Sequence, residues 1–137
     1  MLRLALIFAV LALPAQAAAP AAVIVHEQDV MRQEPPPHGA IGMSTAYRIS
    51  DAVPGRAMEF RRRVLHVGAA IGPHPIDHDE VYYVISGEGE VTSAGKTTRV
   101  GPGTAAYFYS GDEVGIRQLG NEPLNLIISY PGRDAAR

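Results

Sequence analysis

Glycine and proline divide the chain into short pieces beyond its N-terminal segment. The 137 residues include 14 Gly and 11 Pro, and no long stretch between them has the period of an amphipathic helix. The pieces are instead rich in β-branched and aromatic residues, which are typical of strands. Many short strands joined by turns predict an all-β sandwich or barrel, and the length suits one domain.

Four segments are predicted as strands with particular consequences for the fold. Glu80–Ser86 is the clearest, because it is rich in Val, Ile and Tyr. Leu124–Tyr130 is the last strand, Met58–Val67 is an earlier one, and Val23–His26 forms a short first strand. Pro73–Pro75, which follows a glycine, predicts a turn, because each proline fixes its own φ and restricts the residue before it.

Three side chains that can bind a metal or move a proton lie close together in the sequence: His74, His78 and Glu80. Side chains two apart on a strand face the same way, so His78 and Glu80 can share a cavity, and Tyr82 has the same parity. His74 can join them only if the chain folds back. Six extended residues span about 20 Å, whereas bonds to a shared metal are about 2.0–2.2 Å long.

The spacing of these residues resembles the first motif of the cupin family. Gly68, His74, Glu80 and Gly87 fall in register with its glycines, its first His and its Glu. Ile76 stands where the family has its second His.

The family's second motif is matched in spacing but not in its polar residues. Gly103 and Gly111 are in place, while Tyr109, Val114 and Gln118 stand where the family has Pro, His and Asn. The resemblance implies a cupin jelly roll, a double-stranded β-helix barrel. We divide the chain into a predicted signal peptide at 1–17, a leader and arm at 18–37, the cupin domain at 38–132 and a tail at 133–137.

The resemblance also implies a small-molecule ligand in the barrel and a site for one divalent metal. Of the family's ligands only His74 and Glu80 survive, and His78 could supply a third, giving a set that suits Fe, Mn, Zn or Ni. Without metal, His74, Glu80 and Tyr82 are the candidate catalytic acid–base groups. Two classes stay open: an isomerase, lyase or oxygenase acting on a small polar organic molecule, and a non-catalytic binding protein that has lost its metal.

The N-terminus has the pattern of a secretory signal peptide. Arg3 precedes the apolar run Leu4–Leu13, and Ala15-Gln16-Ala17 is a small-x-small cleavage pattern. The run is shorter than the roughly 20 residues of a membrane span. We therefore expect an exported protein with no membrane anchor after cleavage, periplasmic if the source is Gram-negative and secreted otherwise.

The charge and the cysteine content of the chain limit which partners and cross-links are expected. The net charge is −2 and there is no Cys, so nothing indicates a nucleic-acid partner and disulfides are excluded. Small cupins commonly form homodimers, and an isolated jelly roll leaves edge strands open. A homodimer is predicted, with Leu124–Tyr130 and Val23–Val25 as the segments that pair between subunits.

Overall fold

The computed structural model describes residues 16–132. The predicted signal peptide, apart from Gln16 and Ala17, and the predicted tail 133–137 lie outside the described residues. No helix within 16–132 is long and apolar enough to cross a membrane. The elements of this part of the chain are short 3-10 helices at Glu27–Val30 and Ile49–Ala52 and the strands β1 Met31–Glu34, β2 Ser44–Tyr47, β3 Met58–Leu65, β4 Ala70–Pro75, β5 Glu80–Ser86, β6 Glu88–Ser93, β7 Lys96–Val100, β8 Ala105–Phe108, β9 Glu113–Leu119 and β10 Leu124–Pro131.

The strands form two antiparallel sheets. The six-stranded sheet has the order β1-β2-β3-β10-β5-β8, and the four-stranded sheet has the order β4-β9-β6-β7. The all-β jelly-roll prediction is confirmed. Within residues 16–132 the sheets are two layers, and no strand pairing joins them into a closed ring.

The interior between the sheets is apolar. Leu65, Leu124 and Leu126 of the six-stranded sheet and Val114 and Ile116 of the four-stranded sheet are all within 2 % of complete burial. These residues belong to one continuous cluster, so burial of apolar surface holds the two layers together.

One strand prediction and one turn prediction are wrong. Val23–His26 is not a strand, and Ile24 is 78 % exposed. The segment predicted as a turn at Pro73–Pro75 is the end of β4. The reversal that follows His74 lies instead at 76–79, between β4 and β5.

The segments predicted to pair between subunits do not suit that role. Leu124–Tyr130 lies within β10, which is hydrogen-bonded to β3 on one side and to β5 on the other. A strand with both neighbours in place has no free edge. Val23–Val25 has no strand structure. The prediction of these pairing segments is therefore wrong.

The outward side of the six-stranded sheet carries an exposed apolar surface. Phe60, Ser129, Val81 and Tyr107 are aligned across β3, β10, β5 and β8. We call this surface the outer face and define it by its exposed large apolar side chains: Met58, Phe60, Tyr83, Ile85 and Tyr107.

Candidate functional site

A cavity of about 760 Å³ opens between β4 and the six-stranded sheet. Its lining side chains come from the loop after β1, from β3, β4, β5 and β10, and from the turn between β4 and β5. They are Pro37, His38, Arg61, Arg63, Ile71, His74, Pro75, Ile76, Asp77, His78, Glu80, Tyr82, Ile128, Tyr130 and Pro131, with Gly132 at the end. Ile71, Ile76, Tyr82 and Ile128 also belong to the core, so the cavity wall is continuous with the packed interior.

Glu80 is the buried carboxylate of the cavity. It begins β5 and is 5 % exposed. Its Oε2 atom lies 3.6 Å from Nε2 of His78. Burial raises the pKa of Glu80 above its ordinary value, and the neighbouring His78 and His74 act in the opposite direction. Glu80 therefore retains a proton to higher pH than an exposed glutamate.

His78 is oriented by its neighbours. Its Nδ1 atom is 2.9 Å from Oδ1 of Asp77, and its ring stacks on Tyr130 with centroids 4.7 Å apart. A carboxylate only accepts hydrogen bonds, so in the neutral ring the proton lies on Nδ1 and Nε2 is left as an acceptor. Within residues 16–132 that buried Nε2 has no hydrogen-bond partner.

Tyr82 lies beside Glu80 on the inner face of β5, as its parity predicts. It is 2 % exposed, and its ring meets Phe108 edge-on with centroids 4.9 Å apart. Burial, with the charge of Glu80, raises the pKa of Tyr82 well above its ordinary value. The hydroxyl therefore keeps its proton at neutral pH and is a hydrogen-bond donor.

His38 lines the cavity, and its sequence context is only a weak signal of this. It lies in the loop after β1, and its ring stacks on His74 with centroids 3.6 Å apart and planes 4° apart. Burial and the charge of His74 lower the pKa of His38. Its φ of 60° lies in the left-handed region, where non-glycine residues are uncommon and tend to mark functional sites.

Gly72 makes this position of His38 possible. Its amide donates to the carbonyl oxygen of His38 over 2.9 Å. A Cβ atom at position 72 would lie 2.1 Å from that same oxygen. Only a glycine lets the loop approach β4 this closely.

Replacing Gly72 by Ala is expected to push His38 out of the cavity. The clash is with backbone, which cannot rotate away, so we expect the free energy of unfolding to decrease by about 1–3 kcal/mol. Urea unfolding measures the loss, and the His38 ring signals in NMR report its displacement from His74. Gly101→Ala is the control, because no atom lies within 4 Å of its added Cβ. Equal stability of the two variants would contradict this account.

His74 lies on β4, opposite Val114 of β9. Its Nδ1 atom is 2.8 Å from the carbonyl oxygen of Gly72, and one ring face is covered by His38. His74, His78 and Glu80 thus line one cavity, and their roles in binding and catalysis stay predictions.

These residues do not fit a three-ligand metal centre in the observed arrangement. Among residues 16–132, no group of three or more His, Asp or Glu side chains is placed to hold a metal ion. The prediction of Fe, Mn, Zn or Ni at His74, His78 and Glu80 stays a prediction. Elemental analysis of the purified protein beside His74→Ala tests it.

The wall formed by β3 carries two arginines. Arg63 is 5 % exposed; its Nη1 donates to Ser44 over 2.7 Å and its Nη2 to Glu34 over 3.1 Å. Glu34 also accepts two bonds of 2.8 Å from Arg48. This network fixes β1 and β2 against β3.

Arg61 is the second arginine of this wall and is less fully bonded. Its Nη2 lies 3.2 Å from Glu59 and 3.4 Å from Asp51. Its buried Nε has no partner within residues 16–132. From the sequence alone, the run Arg61-Arg62-Arg63 is interpreted as a strand edge or a solvated face. The structure shows instead that Arg61 and Arg63, two apart on β3, both line the cavity.

Two further residues of the sequence motifs have structural positions. Val114 is completely buried and is not a lining residue, whereas Ile76 lines the cavity. Gln118 accepts from the amide of Gly68 over 2.8 Å and donates to the carbonyls of Leu119, at the end of β9, and of Gly120 and Glu122, in the turn before β10. Its amide therefore holds loops rather than a ligand.

The family follows from a match that covers half of the chain. Residues 61–130 match the family description of the cupin domain. The chain belongs to the cupin family. The matched residues include β5, β9, most of β3 and β10, and the cavity residues of those strands.

Solved structures of similar fold agree with this assignment. A predicted oxalate decarboxylase from Thermotoga maritima is 23% identical, with a TM-score of 0.71 over 80% of this chain and 98% of that chain. The polyketide cyclase RemF from Streptomyces resistomycificus is 20% identical, with a TM-score of 0.69 over 81% of this chain and 80% of its own. KdgF from Halomonas sp. is 24% identical, with a TM-score of 0.57 over 66% and 81%. At these identities the likeness shows the fold of this cupin alone.

No functionally curated protein matches the sequence. The function must therefore be argued from the cavity itself.

Proposed function

We propose that this cupin binds a small polar organic molecule in its cavity and moves a proton on it, as an acid–base isomerase or lyase does. The observation that carries the proposal is the pair formed by Glu80 and His78. The two facing atoms, Oε2 and Nε2, are 3.6 Å apart, which is too long for a direct hydrogen bond. A ligand oxygen bound to one side of the line that joins these two atoms would be within hydrogen-bond distance of both.

The chemistry of the pair suits proton transfer. Neutral His78 offers an acceptor at Nε2, and Glu80 has a raised pKa, so the pair can hold one mobile proton between two sites. A catalytic acid or base works best when its pKa lies near the working pH. The hydroxyl of Tyr82 is a third polar group of the cavity and can donate to a developing negative charge on the substrate.

The descriptions of two proteins of similar fold support a catalytic function for this chain. One is described as a predicted oxalate decarboxylase and another as a polyketide cyclase. The alternative is binding without turnover, which is favoured by the apolar residues Ile76 and Val114 at two ligand positions of the family.

The test is exchange of carbon-bound hydrogen in deuterated water. Purified protein is incubated with small hydroxy acids, oxo acids and sugars, and NMR follows deuterium entering the carbon next to a carbonyl or carboxyl group. We expect Glu80→Gln to slow this exchange by about 10²- to 10⁴-fold while ligand binding persists. Asp79→Asn is the matched control, because Asp79 is bonded to Tyr107 and the Ser110 amide outside the cavity.

The outcomes separate the two candidates. Exchange that depends on Glu80 supports acid–base catalysis. Ligand binding with no exchange in the wild-type protein supports the non-catalytic alternative. If exchange is as fast in Glu80→Gln as in the wild-type protein, Glu80 takes no part in the proton transfer.

We also propose that the protein is exported and assembles as a homodimer through the outer face. The signal-like segment supports export, and the aligned apolar side chains of β3, β5 and β8 support pairing with a second copy. We expect native mass spectrometry of the exported protein to give a chain that begins at Ala18 and twice the mass of that chain. Tyr83→Glu is expected to yield monomers, while Thr98→Glu on β7 should not. An uncleaved N-terminus or a purely monomeric wild type would contradict the corresponding half of this proposal.

A further inference from the structure

We infer that the molecule taken by the cavity carries a carboxylate group and that Arg61 binds it. This inference rests on the proposed function, because it names the ligand class of the same cavity. Its basis is the balance of polar groups on the walls. Arg61, Arg63 and three histidines line the cavity, against the buried carboxylate of Glu80 and the rim residue Asp77.

Of the two arginines, Arg61 is the less fully engaged by protein acceptors. Both Nη atoms of Arg63 are already bonded, to Ser44 and Glu34. Arg61 makes only the longer contacts of its Nη2, at 3.2 and 3.4 Å. Its Nε is buried and unpartnered within residues 16–132. A buried donor without a partner is costly, and a ligand oxyanion would satisfy it.

The position of Arg61 relates such an anion to the proton-transfer pair. The guanidinium carbon of Arg61 lies 5.9 Å from the ring centroid of Tyr130. His78 also contacts Tyr130, with ring centroids 4.7 Å apart, and His78 faces Glu80. A carboxylate on Arg61 would therefore place the next carbons along Tyr130, with Glu80 and His78 at their far end. This geometry fits small hydroxy- or oxo-carboxylates, including sugar acids.

The fold tolerates the loss of Arg61. Its carboxylate partners keep another cation, because Arg56 lies 2.9 Å from Glu59 and 3.2 Å from Asp51. Arg61→Gln should consequently fold, and Arg61→Lys offers a second variant that retains the charge but lacks the planar fork.

The experiment compares matched acids and neutral analogues by ligand-detected NMR and thermal shift. The pairs are lactate and lactamide, succinate and succinamide, and glucuronate and glucose, with inorganic phosphate and sulfate as other oxyanions. We expect the protein to bind at least one acid and not its analogue. Arg61→Gln should weaken that binding by about 10- to 100-fold, with Arg61→Lys intermediate and Arg99→Gln unchanged. Arg99 is a distant control, exposed on β7 and paired with Glu88.

The results that overturn the inference differ from those that overturn the proton-transfer proposal. Equal binding of acids and neutral analogues, or binding of none of them, overturns the carboxylate assignment. A preference for phosphate or sulfate over every carboxylate overturns it as well. An acid preference that survives in Arg61→Gln overturns the role of Arg61. The proton-transfer proposal stands or falls separately, on exchange in Glu80→Gln.

Discussion

Glu34→Ala is expected to destabilise the protein by about 3 kcal/mol, because it removes the partner of a buried cation. Arg63 is 5 % exposed and, among residues 16–132, would keep only Ser44 as a side-chain hydrogen-bond acceptor. Arg48 would lose the same carboxylate. Urea unfolding at neutral pH measures the effect.

The control for Glu34 is a glutamate in a solvated ion pair. Glu88→Ala removes only a contact with Arg99, and both side chains are more than half exposed. We expect a change below about 0.5 kcal/mol there. Similar losses in the two variants would show that the Glu34 network carries no special stability.

The Glu34 network also predicts acid sensitivity. Burial alone would raise the pKa of Glu34, but the hydrogen bonds from Arg48 and Arg63 hold it below the ordinary value of 4.5. A carboxyl with a lowered folded-state pKa stabilises the fold above its unfolded pKa, and that contribution is lost as pH falls through the folded value. The difference between wild type and Glu34→Ala should accordingly shrink below about pH 4.5.

Glu80→Gln should act in the opposite direction and stabilise the protein at neutral pH. The folded-state pKa of Glu80 lies above its ordinary value of 4.5. Between those two values the folded protein holds a proton that the unfolded chain has released, so stability declines as pH rises through this window. Gln cannot ionise, so the stability of Glu80→Gln does not decline in this pH window.

The measurement is urea unfolding of wild type and Glu80→Gln across pH. We expect the variant to be more stable by on the order of 1 kcal/mol at neutral pH and the gap to close below about pH 4.5. Glu113→Gln, at an exposed position at the start of β9, should show no such gap. A Glu80→Gln protein that is less stable at neutral pH would contradict the raised pKa. If Glu80→Gln is more stable than the wild type but exchanges carbon-bound hydrogen more slowly, Glu80 is kept for function at a cost in folding stability.

The sequence predicted the fold class because its patterns are local. The bounds predicted for β5 are those observed, because a run of Val, Ile and Tyr favours a strand. Tyr82 could be assigned to the cavity from Glu80 by parity alone. Such predictions need only the period of the strand.

What the sequence could not predict depends on which elements meet. On β3 the apolar side chains of Met58 and Phe60 are exposed, whereas the charged side chains of Arg61 and Arg63 line the cavity. A rule that places apolar residues inside would therefore assign the two faces of this strand wrongly. His38 is far from the motif in sequence and reaches His74 only because a loop docks on Gly72. A His beside a proline run and a glycine is a weak signal, and nothing local indicates its partner.

β4, whose end was predicted as a turn, has a consequence for solubility. β4 is an edge of the four-stranded sheet, and its register shifts between Ile71 and His74. Proline has no amide hydrogen, and edge strands are where a sheet tolerates it. Pro73 and Pro75 have no amide hydrogen to donate, and the amides of Ala70 and Gly72 are already bonded to Ile41 and His38, so β4 offers few donors to a strand of another molecule. At this edge the protein is protected against uncontrolled sheet extension and fibre growth, beside the mouth of a cavity that has to stay open to solvent.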